Sequence, residues 1–366
     1  MTTPDPALIR AIDANANRCR EGLRVLEDIA RFVLNDVFLT ESVKSLRHEL
    51  ETALASVAVS ARLQARDTRH DVGTSLSTPE ELQRVDWVAI VVANARRVQE
   101  GLRTLEEFTK LVAGDVAPRI KAIRYRSYTL EKALAVVLSS RKNLEGVRLY
   151  VLVDARGSEE EFRHIVEGLV RVGVGAIQLR AKNVPDRLLL ARARLLRQLT
   201  AERALCIIND RPDIALLVRA DGIHLGQEDL PLAEVRRVVG PDMLVGISTH
   251  SLEQAETAVL EGANYIGVGP IFPSRTKDFT HFPGLEFARQ VATRLAIPAF
   301  AIGGINLDNL PDVLATGISR VAVASAIVDA PEPAVEAAKF LRMLTSQGGS
   351  KTENKPEIPS DRDPDT

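Results

Sequence analysis

Cysteine is nearly absent from this sequence of 366 residues: Cys19 and Cys206 are the only two, far apart and in neither CxxC nor metal-ligand spacing. That excludes a disulfide framework, fits a reducing compartment and leaves both thiols as expected core residues. An excess of charge is missing too, the formal net charge being −2. There is no bulk electrostatic reason to bind nucleic acid or an anionic membrane, so any phosphate must be recognised by a few placed cations. No apolar run approaches the ~20 residues that span a bilayer, and no N-terminal stretch has the form of a signal peptide. The expectation is a cytoplasmic protein with small-molecule partners and no nucleic-acid or membrane partner. A GxxxxGK[ST] loop is also lacking, so no nucleotide site of that kind is legible.

What is present is enough apolar material, 45% of residues, to bury a sizeable core, in a length that favours two domains. A polar stretch, SSRKNLEG at 139–146, separates two regions of different periodicity. The expected organisation is an all-α region over 1–140, a linker over 141–147, an α/β region over 148–346, and a tail over 347–366. That tail is rich in Pro, Gly, Ser and charge and is expected to be disordered.

In the first region one helical segment occurs twice, NANRCREGLRVLEDIARFVLND at 15–36 and NARRVQEGLRTLEEFTKLVAGD at 94–115. Cys19, Leu23, Leu26 and Ala30 recur at helical spacing in the first copy, and Val98, Leu102 and Leu105 begin the same stripe in the second. Further helical segments over roughly 40–63 and 116–140 complete two related helical hairpins, a small bundle. A loop over 66–81 joins them, with Pro79 suited to the first turn of the third helix. The repeated polar stripe Asn17, Glu21, Arg24 and Asp28, matched by Arg96, Glu100, Arg103 and Glu107, reads as a salt-bridged surface or a ligand face. Gly22 and Gly101 sit mid-helix, where glycine is unfavourable, and so point to close helix contact or to ligand approach.

After the boundary come eight short β-branched runs, 148–154, 176–182, 204–210, 222–226, 244–249, 265–272, 298–304 and 320–326, each followed by a helical stretch. Near-continuous apolar strands alternating with amphipathic helices mean parallel strands covered by helices, and eight such units match a (β/α)8 TIM barrel; an open doubly wound sheet is the rival. The active site of such a barrel lies at the C-terminal strand ends, and these ends are polar or glycine: Gln178, Arg180 and Lys182; Asn209 and Asp210; Asp229; Ser248; Ser274, Arg275, Thr276 and Lys277; Gly304; Ser325. Glycines after the seventh strand, a helix starting near Asn306, and Ala324 with Ser325 suit a phosphate cup. Asp210 and Asp229 with Arg180, Lys182 and Lys277 suit a Mg²⁺-bound diphosphate. Asp210 alone would read as a helix N-cap, and His224 as a packed or hydrogen-bonded strand histidine.

The strings QLRAK, INDRPDIAL, ADGIHLGQEDLP, VGISTHS, GANYIGVGPIFPSRTK, AIGGI and VAVASAI occur in this order, and over some 200 residues the chain resembles thiamine phosphate synthases. The resemblance implies that a pyrimidine diphosphate loses diphosphate to leave a pyrimidine-methyl cation, which the nitrogen of a thiazole phosphate attacks. Asp210 and Asp229 would then hold Mg²⁺. Gln178, Arg180, Lys182, Asn209, Ser248 and Lys277 would hold the pyrimidine diphosphate, with Arg180, Lys182, Ser248 and Lys277 acting in catalysis. Ser274, Thr276, Gly304, Ala324 and Ser325 would hold the thiazole phosphate, and Ala181 and Arg275 count among the substrate-binding residues with them. The chain departs from the family pattern at Ala181, where Glu is common, and at Ser274-Arg275-Thr276-Lys277, where Thr-Pro-Thr-Lys is common. Related thiazole tautomerases use a histidine in the context of His250 but lack the paired acids, and a non-catalytic sensor would need no leaving-group metal site. The region over 6–140 resembles a helical domain fused to such synthases and associated with phosphorylation of hydroxymethylpyrimidine monophosphate, which adds ATP as a partner. Its rival is an oligomerisation module, giving a homo-oligomer.

Overall fold

The computed structural model describes residues 5–57, 59–67, 83–155, 157–273 and 282–346. Pro79, the loop Ser274, Arg275, Thr276 and Lys277, and the expected tail over 347–366 lie outside them.

The first region is helical. In α1 (Pro6–Asp28) the Asp5 carboxylate accepts from the Ala7 amide and Pro6 occupies the first turn, as its fixed φ favours. The helix widens into a π-helical segment, Ile29–Leu34, and ends at Asn35 with φ 54. The helix expected over 40–63 is in fact broken, into α2 (Val37–Ala53), a 3₁₀ turn (Leu54–Ser56) and α3 (Val59–Ala65). The second copy comprises α4 (Trp87–Thr109), capped by Asp86, and α5 (Ala117–Asn143).

Helices α1 and α4 cross antiparallel at the two mid-helix glycines. A Cβ on Gly22 would stand 2.6 Å from Val98 Cγ2, and one on Gly101 would stand 2.6 Å from Cys19 Sγ. Cys19 and Val98 are themselves equivalent positions of the repeat, 79 residues apart, and the Cys19 thiol lies 3.5 Å from the Val98 carbonyl oxygen. Each copy therefore presents the same notch to the same residue of the other, so close helix packing accounts for both glycines. Burial pushes the Cys19 thiol up to about 12, as an inert core group requires.

The second region is a closed barrel of eight parallel strands in sequential order: β1 (Leu149–Val153), β2 (Ala176–Leu179), β3 (Leu205–Asn209), β4 (Gly222–Leu225), β5 (Leu244–Thr249), β6 (Tyr265–Val268), β7 (Ala299–Ile302) and β8 (Val321–Val323). Around it run α6 (Glu159–Arg171), α7 (Asp186–Thr200), α8 (Pro212–Val218), α9 (Leu232–Val239), α10 (Leu252–Glu261), α11 (Gly284–Arg294), α12 (Leu310–Leu314), α13 (Ser325–Val328) and α14 (Pro333–Ser346). Several strands stop short of the sequence expectation, because the polar residues at their ends leave the ladder. Arg180, Ala181 and Lys182 lie beyond β2.

Alternation along each strand sends one set of side chains outward to the helices and the other to the barrel axis. Tyr150, Tyr265 and Phe300 meet at that axis, with ring centroids 5.4–6.0 Å apart. Gly246 on β5 leaves room for them, since a Cβ there would fall 2.1 Å from Tyr265 Cζ. Beneath this layer Leu144 and Val147, from the expected linker, pack with Ala176, Ile207 and Leu244 and close the N-terminal end of the barrel.

The bundle is attached at that closed end. Helix α5 runs to Asn143 through much of the polar stretch read as a boundary. Its Ser140 is fully buried and accepts from Asn264 Nδ2 at 3.0 Å, so part of that polarity serves a docking contact. Lys132 donates to the Glu261 carbonyl (2.7 Å), and Arg294 bridges Glu41 and Glu256. Asp36, 1% exposed, accepts from Leu39 N with one oxygen and from Ala296 N with the other, both at 2.7 Å. Burial holds its carboxyl above the ordinary range despite these bonds. Asp36→Ala is expected to lower stability by about 2–4 kcal/mol, because it removes a helix cap and leaves a half-buried amide of the docking contact without an acceptor. Chemical denaturation checks this; a loss below about 0.5 kcal/mol, the range of an ordinary surface substitution, would contradict it.

Candidate active site in the barrel mouth

At the C-terminal ends of the strands a cavity of about 660 Å³ opens above the aromatic layer. Its floor is hydrogen-bonded: Gln178 Nε2 donates to the Tyr150 hydroxyl at 3.0 Å, which in turn lies 3.2 Å from the Tyr265 hydroxyl. Burial and the neighbouring Tyr265 raise the Tyr150 pKa well above its ordinary value, so the phenol stays a neutral donor. Gln178 is 2% exposed, and its Oε1 has no partner among the described residues. A buried amide oxygen in this state calls for a donor from the cavity.

One wall carries the acids. Asp210 follows β3 with φ 59, and its amide donates to the His224 carbonyl at 2.9 Å. It is not the helix cap that its position after a strand suggested: Arg211 stands at the N-cap of α8 and makes no side-chain capping bond. Asp229 Oδ2 accepts from the Gly226 amide at 2.7 Å. The Asp210 carboxyl is pushed up to about 6, first by burial and then by a hydrogen bond with Asp229 and its charge, while Lys182 and Arg180 pull the other way. Lys182 Nζ lies 3.7 Å from Asp210 Oδ2. Beside them Ser248 Oγ is 2.9 Å from His224 Nε2, and the His224 ring stacks on Tyr265 at 5.6 Å.

The opposite wall is backbone. Gly303 and Gly304 have φ of 102 and 63, conformations that glycine adopts without penalty. A Cβ on Gly304 would stand 2.5 Å from the Pro273 carbonyl oxygen. Ala324 is the N-cap of α13, which Ser325 opens. The helix expected near Asn306 is not there. Asn306 Oδ1 accepts from the amides of Asp308 and Asn309, Asn309 Oδ1 accepts from Asn306 N, and α12 begins only at Leu310. Side chains thus satisfy the backbone donors locally and hold a turn in place of a helix.

Gln178, Arg180, Lys182, Asn209, Asp210, Asp229, Ser248, Gly304, Ala324 and Ser325 all line the cavity. Ala181 does not; it packs against the hydrophobic core, because it alternates with Arg180 and Lys182. Ser274, Arg275, Thr276 and Lys277 lie outside the described residues, although Pro273 just before them lines the mouth. The sequence reading missed Tyr150 and Tyr265 as site residues, and both line the cavity; His224 is the packed, hydrogen-bonded strand histidine expected, bonded to Ser248 and stacked on Tyr265, and it lines the cavity as well. Their signal was parity, since His224 pairs with Asn209, and Tyr150 stands two residues before Leu152, the register partner of Gln178.

A closed (β/α)8 barrel that gathers cations, paired carboxylates and glycine-backed amides on its C-terminal rim is an enzyme fold of the phosphate-handling class. The family described as thiamine monophosphate synthase matches residues 149–327, and the ThiD2 family matches residues 10–133. A thiamine-phosphate synthase from Rhodopirellula baltica is 45% identical over 330 residues, covering 87% of this chain and 88% of its own length. One from Gloeobacter violaceus is 43% identical over 342 residues, covering 93% and 98%. A solved thiamine phosphate pyrophosphorylase from Pyrococcus furiosus is 37% identical and covers 55% of this chain and 96% of its own, with a TM-score of 0.49. The chain belongs to the thiamine phosphate synthase family, and it is a transferase. Neither the tautomerase nor the sensor alternative is favoured. No helix of the described residues is long and apolar enough to cross a membrane.

Proposed function

We propose that the mouth divides its two substrates between its two walls, with the pyrimidine diphosphate on the charged side and the thiazole phosphate on the backbone side. The observation that carries this is the Asp210–Asp229 pair beside Lys182 and Arg180, facing the Gly304 turn and Ser325. The donor set fits Mg²⁺. Burial, and then the crowding of Asp229, hold Asp210 near 6, a state that a cation between the two carboxylates relieves. With two carboxylates from the protein, the ion would complete its shell with water and phosphate oxygens. Asp210 and Asp229 would hold the ion, whose chemistry there is to stabilise charge on the leaving diphosphate.

Arg180 and Lys182, on the same wall as the acids, donate to the same diphosphate and favour its departure by stabilising the charge that builds up on it. Gln178, held by Tyr150, orients the pyrimidine. Ser248, held by His224, and Asn209 complete its contacts. Gly304, Ala324 and Ser325 offer amides to the thiazole phosphate; the family resemblance adds Ser274 and Thr276 to that phosphate and Lys277 to the diphosphate. The thiazole nitrogen attacks through its lone pair, so no general base is required.

The helical region, we infer, phosphorylates hydroxymethylpyrimidine monophosphate with ATP and so supplies the barrel's diphosphate substrate. The ThiD2 match over residues 10–133 supports this reading. One experiment tests both halves. The intact chain, given the pyrimidine monophosphate, ATP, thiazole phosphate and Mg²⁺, is expected to form thiamine phosphate, and without ATP it should need preformed pyrimidine diphosphate. Product from neither source would overturn the barrel reading; product only from the preformed diphosphate would overturn the kinase reading.

A further inference from the structure

The helical region holds a second concavity, of about 380 Å³, between α4 and α5, lined by Arg96, Gln99, Glu100, Arg103, Arg124 and Tyr128. Part of it is scaffold. The buried Glu106 carboxylate is bonded by Arg103 and by two nitrogens of Arg124. The first copy of the repeat builds the same triad from Arg24, Glu27 and Arg47. A feature present in both copies is explained by the bundle's own packing.

The second copy differs in what it leaves over. At the position equivalent to Arg96 the first copy has Asn17, which bonds Asp13 and Arg20. Arg96 is exposed and makes no hydrogen bond or ion pair with any described residue. Arg124 Nη1 is not spent on Glu106 and reaches only the Tyr128 hydroxyl, at 3.4 Å, so that hydroxyl keeps its own proton to donate. The unspent groups are donors set around one hollow, whose lining carries three guanidiniums and the Glu100 carboxylate; Arg103 and Arg124 are paired with Glu106 and Glu107, which leaves Arg96 as the lining cation bonded to no described residue. Tyr128 and Tyr125 form an edge-to-face pair at 6.2 Å; the Arg124 guanidinium lies over the Tyr125 ring, 5.0 Å from its centroid, and Tyr128, 42% exposed, keeps an aromatic surface beside the cations.

We propose that this concavity binds a phosphate ester carried on a flat heteroaromatic ring, with Arg96, Arg124 and Tyr128 donating to the phosphate and Tyr128 flanking the ring. Acceptor-only oxygens match fixed guanidinium donors, and planar rings stack on tyrosine. The proposal rests on the kinase reading and names its site. Both the nucleotide and the pyrimidine monophosphate have this chemistry, and the test separates them.

Arg96→Glu, at an exposed position bonded to no described neighbour, is expected to raise KM at least tenfold for either ATP or the pyrimidine monophosphate, and the affected substrate identifies the occupant. Arg96→Lys, which keeps the charge but loses the fork, should fall between. The barrel reaction from preformed pyrimidine diphosphate serves as the folding control. Unchanged KM values for both substrates in an active kinase would overturn the site but not the kinase reading. Should the unaltered chain show no ATP-dependent step, the kinase reading fails and calorimetric titration with ATP and with the pyrimidine monophosphate decides the site. Sites in the barrel contribute equally to both proteins, so heat lost on Arg96→Glu sustains the proposal and identical isotherms overturn it.

Discussion

Asp210→Asn is expected to slow thiamine phosphate formation by about 10³-fold while the melting temperature in metal-free buffer stays level or rises. The first part follows from what the carboxylate would hold: charge stabilisation of a leaving group by a bound cation is worth several kcal/mol, and each factor of ten in rate corresponds to about 1.4 kcal/mol. The second part follows from the site without the ion. Asp210 is held near 6 by burial and by Asp229, so its negative charge strains the fold, and an amide removes that charge. Asn also tolerates the left-handed backbone at φ 59 better than most residues. Steady-state rates and thermal scans on the same preparation check both parts. A variant that keeps its rate and Mg²⁺ requirement, or that loses rate only because it melts early, would refute the assignment.

Gly246→Ala is expected to cost about 3 kcal/mol or more, at the high end for overpacking. The added carbon would lie 2.1, 2.3 and 2.6 Å from three atoms of the Tyr265 ring. That ring cannot retreat, because it is 2% exposed and wedged against Tyr150, Phe300 and His224. Combining Gly246→Ala with Tyr265→Leu should recover part of the loss, whereas Tyr265→Phe should recover none, since the clash is with the ring and not its hydroxyl. Urea midpoints of the three variants and the unaltered chain make the comparison. Equal stability of Gly246→Ala and the unaltered chain would mean that the barrel interior is looser than its geometry implies.

Much of this architecture was legible because parallel barrel strands are apolar on both faces and advertise themselves as short runs, and because polar residues at their ends stand out against that background. The misses share a physical cause. Tyr150 and Tyr265 look like any core aromatics along the chain; only the pairing of β1 with β2 and of β5 with β6 reveals that they point at the axis beneath a cavity. Ala181 was readable as outward-facing from its place between Arg180 and Lys182, but a comparison of residue types does not register parity. The helix expected at Asn306 yields to a turn because two asparagine side chains satisfy the amides that a helix would have left open. The break after Ala53 in what reads as one helix leaves no mark in the apolar spacing.

Leu144 and Val147 are written in the chain between the bundle and the barrel, yet their side chains act as a stopper in the barrel's closed end, packed under Tyr150 and Ala176. The seam in the gene and the seam in the folded protein are therefore not the same place. A chimera that exchanges helical halves must take its crossover upstream of Leu144 and keep the stopper with its own barrel. One joined a few residues later would graft a foreign plug into a bore shaped by Ile207 and Leu244, and would lose barrel stability for reasons unrelated to either active site.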